Sequence, residues 1–334
     1  MPVTQHTITG VEGGQRIDRW FRHRYPGLGH GRLEKLLRTG RIRVDGKRVK
    51  AAHRLSAGET ICIPPMGSTV ASPGQKTTAQ SVRQRDAQAD RDSIEAMTIY
   101  RDKAVLVLNK PPGLPVQGGL GQKDSLDVML RNWTRSDDLP RLVHRLDKDT
   151  SGVMVVGLNR KTAGALAKAF RSRSVRKLYW AAVVGMPARR RGSINLPLIR
   201  RSGAGGERMV IAEDIETENA QRARTQYAVI DHAARHVTWL ALMPMTGRKH
   251  QLRVHVSAIG TPILGDGKYG GSEAFVAGFS NKVHLHSKNL VAPHPNGGWI
   301  DAEAPLPPHM AETFDILGFG PRDDGDPFES GIGS

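Results

Sequence analysis

Cysteine is almost missing from this sequence, with one residue, Cys62, in 334. A single thiol excludes an internal disulfide and any metal centre built from several cysteines, and its setting in "TICIP" reads as an ordinary buried thiol. Long apolar runs are missing too. No stretch approaches the roughly 20 residues needed to cross a bilayer, and the start "MPVTQHTITGVEGG" has neither the basic nor the apolar part of a leader. A cytoplasmic protein without membrane association is expected. Acidic residues are scarce: 32 Asp and Glu against 49 Lys and Arg give a formal charge of +17. That excess attracts a polyanion by counterion release, which puts nucleic acid first among partners.

The charge is concentrated. Between Gly14 and Pro64 there are 13 Lys or Arg and 4 Asp or Glu. Here "QRIDRWFRHRY" and "GRLEKLLRTG" place Ile17, Trp20 and Phe21, then Leu33, Leu36 and Leu37, at helical i, i+3, i+4 spacing, and Gly40 ends the second helix. "RIRVDGKRVK" follows, with Ile42 and Val44 alternating before Asp45-Gly46, a hairpin signal. Residues 65–95, rich in Ser, Gln, Pro, Gly and charge and nearly free of large apolar side chains, read as a flexible linker.

The chain turns apolar again near residue 96, and Val105 to Leu108 form a buried-type strand stopped by Pro111-Pro112-Gly113. Strand-like "GVMVVGL", "KLYWAAVVG", "RTQYAVID", "HVTWLALMP" and "HLHSKNLVA" alternate irregularly with helical spacing in "SLDVMLRNW", "RKTAGALAKAFRSR" and "HQLRVHVSAIG". Lacking the regular βαβ beat of a doubly wound fold, residues 96–318 are predicted to form an α+β domain with a mixed, mostly antiparallel sheet. A disordered tail is expected over 319–334.

Several short patterns fail the motifs they first suggest. "GDGKYG" lacks the spacing and the Ser or Thr of a P-loop, and "GGLGQKDS" lacks the third glycine of a dinucleotide fingerprint. "HRLD" displaces its Asp by one position from the kinase catalytic loop. His250 and His255 are five apart with no intervening Glu, which argues against a zincin. A metal held by His144, Asp147 and Asp149 is opposed by Arg141, Arg145 and Lys148 among the would-be ligands. No metal site is expected, and Asp149, Thr150 and Ser151 fit an ordinary polar loop.

Four segments in order make a stronger pattern: "LVLNKPPGLPVQ", "LVHRLDKDTSGVMVV", "RKLYWAAVVG" and "MTGRKHQLRVHVSAIGTPILGDGKYG". Together with "HLHSKNLVAPHPNGGWIDAEAPLP" they resemble the RluA family of pseudouridine synthases, in its branch that modifies large-subunit ribosomal RNA. Residues 14–64 resemble the S4 RNA-binding module, a small αα-β domain that this branch carries before a variable linker. The resemblance covers nearly all of the chain outside the linker and tail. It implies isomerisation of uridine to pseudouridine in RNA, ribosomal more than transfer RNA, by a monomer without a cofactor.

The resemblance also assigns residues. Asp147 of HRLD is the catalytic carboxylate, which has to work near the ribose and base and away from water. Arg253 is the basic residue facing it, with Arg248 a second candidate. Phosphate binding is the alternative duty of either arginine. Tyr179 lies against the target base, where an aromatic face stacks on a flipped-out nucleotide. Trp180, its strand neighbour, faces the other side and belongs to a core. RNA contacts are expected from Arg145, Arg248 and Lys110, and in the S4-like module from Arg32, Lys35, Arg38, Arg41, Arg43, Lys47 and Arg48. Arg189, Arg190, Arg191, Arg200 and Arg201 form a second basic cluster in loop-like sequence. The rivals are an inert RNA-binding protein and a glycosidase, the latter needing a pair of carboxylates that only Asp147 and Asp149 offer.

Overall fold

The computed structural model of the protein describes residues 4–10, 12–25, 28, 30–64, 79–118, 125–134, 138–172, 174–203, 206–233, 236–320 and 327–328. The chain divides into two compact units, Met1–Val82 with Gly119–Gly121, and Arg83–Gly118 with Gln122–Ser334.

In the first unit the expected helices run over Ile17–Arg24 and His30–Arg38. Their apolar stripes put Ile17, Trp20, Phe21, Leu33 and Leu37 into one core with Val44, Ile61 and Ile63. The Asp45-Gly46 turn is present, with φ of 46° and 73°, the left-handed pair that a two-residue hairpin turn demands and that glycine adopts freely. Strand Arg43–Val44 pairs with Thr60–Ile63, and that strand also pairs with Thr4–Thr7, which lies outside the expected 14–64 boundary. Cys62 is half-buried rather than buried, because Ile61 and Ile63 take the inward positions of the alternating strand.

The linker expectation needs correction over 79–95. Residues 65–78 lie outside the described ones, but Ala79–Met97 is a helix. No Pro or Gly occurs between Gly74 and Met97, and Ala, Gln, Arg and Glu favour helix. Three residues anchor it: Ile94 is fully buried in the core of the second unit, while Asp90 and Glu95 accept hydrogen bonds from Asn132 and Trp133 of helix Leu126–Trp133.

The second unit is built on a ten-stranded sheet. Its order is Thr98–Arg101, Val105–Lys110, Ser151–Gly157, Leu285–Pro293, Arg176–Val184, Val237–Pro244, Arg224–Ala233, Arg191–Asn195, with Trp299–Glu303 on Leu285–Pro293 and Arg141–Leu142 on Ser151–Gly157. Only the pairing of Leu285–Pro293 with Ser151–Gly157 is parallel, so the sheet is mixed, as predicted. Val153 and Val155 face one core while Met154 and Val156 face another, so both sheet faces are covered and the run is apolar without alternation. Arg191, Arg200 and Arg201 are in strands, not loops: Leu198–Gly203 and Gly206–Ile211 form a separate hairpin. The tail expectation fails at its start, where Phe319 is buried against Trp239 and Phe314; residues 321–326 and 329–334 lie outside the described ones.

Candidate active site

Asp147 sits in the loop between Arg141–Leu142 and Ser151–Gly157, both of which belong to the sheet. The loop is held at each end. Leu146 is buried in the main core, and Thr150 N–H donates to the Asp147 carbonyl at 3.2 Å. Gly152 follows at φ 109°, where an added Cβ would run into the Ser287 backbone, so only glycine lets the strand turn onto its parallel partner.

Lys110 braces the same loop from below. Its Nζ donates to the carbonyls of Pro111, Leu114 and Lys148 at 2.8, 2.9 and 3.0 Å. Burial pushes its pKa down to about 7, against the pull of Asp149 and Asp147. Three acceptors call for the three donors of an ammonium, which favours the charged form. Lys110 was expected to contact RNA; it has no exposed surface and its three donors are spent on backbone carbonyls, the geometry of a brace for this loop.

Around Asp147 the structure gathers Arg253, Arg145, Lys249 and the backbone N–H of His250. Burial raises the Asp147 pKa; Arg253 is the strongest influence holding it down, followed by Arg145, the His250 N–H and Lys249. Arg253 lies on helix Gln251–Ala258 and is 4% exposed, yet its hydrogen bonds go elsewhere. Nε and Nη2 each donate at 2.7 Å to the two oxygens of Asp266, which is itself buried. The guanidinium therefore faces Asp147 as a fixed charge without being its hydrogen-bond partner.

A cleft of about 960 Å³ opens over this group. Asp147 and Tyr179 line it together with the cations Arg145, Lys177, Arg248 and Lys249. Tyr179 is mostly buried, and burial, with Asp147 nearby, pushes its phenol up to about 12, so it stays neutral. Trp180 turns to the opposite face and packs edge-on against Trp239. Arg145 and Arg248 are exposed; Arg248 also donates from Nε to the Arg222 carbonyl at 3.1 Å. In the first unit Arg32, Lys35, Arg38, Arg41, Arg43, Lys47 and Arg48 are all exposed, with Arg43 partly engaged on the carbonyls of Gly40 and Gly46.

His144 does not converge with Asp147 and Asp149 as a ligand set. Its Nε2 accepts from Val155 N–H at 2.9 Å and its ring stacks on Phe170 at 4.4 Å. Burial and Lys177 push it down to about 3, so it is a neutral structural imidazole. Among the described residues no cluster of three or more His, Cys, Asp or Glu could hold a metal.

Sequence reasoning missed Asp266, Tyr269, His250 and Phe328. The first two lie in "GDGKYG", which fails as a phosphate loop and enters the family resemblance without a role for either residue. Phe328, in the sequence expected to be a loose tail, lines the cleft.

A family model described as RNA pseudouridylate synthase matches residues 104–258, the span that holds Asp147, Tyr179 and Arg253. Ribosomal large subunit pseudouridine synthase C of Escherichia coli (strain K12) is 34% identical over 90% of this chain and 92% of its own. RNA pseudouridine synthase 4, mitochondrial, of Arabidopsis thaliana is 32% identical over 90% of this chain and 78% of its own. Among solved structures, Human RNA Pseudouridylate Synthase Domain Containing 4 matches with a TM-score of 0.59 at 28% identity, over 70% of this chain and 98% of that one.

Proposed function

From the premise that the chain belongs to the RNA pseudouridylate synthase family, we propose that Asp147 is its catalytic carboxylate and large-subunit ribosomal RNA its substrate. The observation that carries this reading is one carboxylate, Asp147, lining a cleft whose other charged walls are cationic. The isomerisation breaks the bond from N1 to the ribose, turns the uracil and rejoins it through C5, exchanging a C5 hydrogen for one on N1. Atoms balance without a cofactor. A carboxylate serves as nucleophile or as proton acceptor, and the neutral acid serves as neither.

The cationic lining suits a polyanion, and Tyr179 offers a ring to an extruded base. Arg253 acts through its charge on Asp147, while Arg145 and Arg248 meet phosphates. The first unit, with its helices and exposed basic positions, is read as an S4-type RNA anchor covering residues 14–64. The ribosomal substrate is suggested by the relative named ribosomal large subunit pseudouridine synthase C.

Tritium release from 5-tritiated uridine tests both parts. Wild-type protein should release tritium from large-subunit ribosomal RNA and not from transfer RNA, and Asp147→Asn should release none while still binding. Release from transfer RNA alone would overturn the substrate, and substantial release by Asp147→Asn would overturn the residue.

A further inference from the structure

His250 and Tyr269 stand beside Asp147 in an arrangement that the charge of Arg253 does not explain. His250 has φ 54° and ψ 18°, and among described residues only Asp45 and Asn219 share a positive φ without being glycine. This left-handed turn aims the His250 backbone N–H at the Asp147 carboxylate. The ring comes to the same place, with Nε2 3.8 Å from Asp147 Oδ1. On its other side, His250 Nδ1 lies 2.6 Å from the Tyr269 hydroxyl, which is also 3.3 Å from the backbone nitrogen of Met209.

We propose that Tyr269 and His250 are a positioning relay for Asp147, in which the phenol fixes the imidazole tautomer so that Nε2–H is presented to the carboxylate. The inference rests on the reading of Asp147 as the catalytic group. The Tyr269 oxygen accepts from the Met209 N–H and its hydroxyl proton is available to His250 Nδ1, while the carboxylate on the other side of the ring favours a donor at Nε2. With Nδ1 accepting, a neutral ring carries its proton on Nε2. The reverse tautomer would turn a lone pair toward an anion. His250 is neutral, since burial, with Arg253, Lys268, Lys249 and Arg145 around it, lowers it to about 3.

At 3.8 Å the ring is beyond hydrogen-bond length, and a movement of about 1 Å closes the contact. Ring and backbone N–H of one residue then both hold the carboxylate. Asp266 anchors the base of the relay, accepting from Tyr269 N–H at 3.3 Å as well as from Arg253.

The test compares Tyr269→Phe, His250→Asn and the double variant in single-turnover reactions with saturating enzyme. Tyr269→Phe keeps the ring between Arg253 and Arg208, and Asn tolerates the left-handed backbone. Each single variant should lower the saturated rate about tenfold, the worth of one hydrogen bond, with RNA affinity unchanged. The double variant should be no slower than His250→Asn alone. Nitrogen-15 shifts of His250 in the unaltered protein should show Nε2 protonated and Nδ1 bare. A Tyr269→Phe rate within twofold of wild type, additive losses, or a proton on Nδ1 would each overturn the relay. Asp147→Asn run alongside keeps the two readings apart: activity there removes the catalytic assignment, whereas a dead Asp147→Asn beside a normal Tyr269→Phe removes only the relay.

Discussion

Asp266 holds the Arg253 guanidinium through both carboxylate oxygens, at 2.7 Å each, and so fixes the charge that faces Asp147. Such a fork is rigid in the plane of the two groups, which is why arginine rather than lysine suits the position.

Removing one member of that pair leaves the other buried alone. Arg253→Met should therefore cost about 3–5 kcal/mol of stability, read by denaturant unfolding. It should also move the pH–rate profile. If Asp147 works as the anion, its burial-raised pKa means that activity is lost as pH falls through a value above the ordinary carboxylate one. Without Arg253, the largest influence holding that value down, the acid limb should move to higher pH. The stability linkage has the matching sign: a raised carboxyl contributes most when protonated, and its contribution is lost as pH rises through the raised value. An acid limb left in place would show that Arg253 does not act on Asp147.

The catalytic sheet was legible because its strands are apolar on both faces, so "VLVL" and "GVMVVG" announce themselves without knowledge of their neighbours. The loop carrying Asp147 was legible as a motif. The Arg253–Asp266 fork was not, since thirteen positions separate residues that only the fold brings face to face. The hairpin Leu198–Ile211 was hidden because few of its side chains, Leu198 and Met209 among them, are buried, and its arginines read as loop. Helix Ala79–Met97 was hidden for a similar reason: among its described side chains Ile94 alone is fully buried.

Lys110→Met separates a brace from an RNA contact. It strands three carbonyls whose donor was the ammonium, and each buried unsatisfied group costs about 1–3 kcal/mol. The expected result is a clear loss of stability with unchanged RNA affinity in whatever fraction remains folded. Weaker binding at full stability would restore the RNA contact.

Arg32, Lys35 and Arg38 are exposed on helix His30–Arg38. If that helix anchors RNA, replacing all three with Ala should reduce the slope of log affinity against log salt by about 2–3, because each phosphate contact accounts for nearly one. The saturated rate should not change. An unchanged salt slope would mean that the helix presents its charge only to solvent.

Phe328 raises a different question, because it lines the cleft that RNA has to enter. The sequence around it, "RDDGDPFES", holds Asp323, Asp324, Asp326 and Glu329 against a single Arg322, so an aromatic ring arrives in the cationic cleft among acidic neighbours. Those are the two features by which a nucleotide would be held there, a flat apolar ring and negative charge. RNA binding then has to displace the ring, and apparent affinity falls in proportion to the fraction of molecules with a clear cleft. Phe328→Ala should consequently tighten RNA binding severalfold and leave the saturated single-turnover rate unchanged, since the ring is gone from the cleft in either protein once RNA is bound. Binding measured by titration at fixed salt, with the single-turnover rate beside it, checks this directly. Weaker binding by Phe328→Ala would reverse the reading and make the ring part of the surface on which RNA sits.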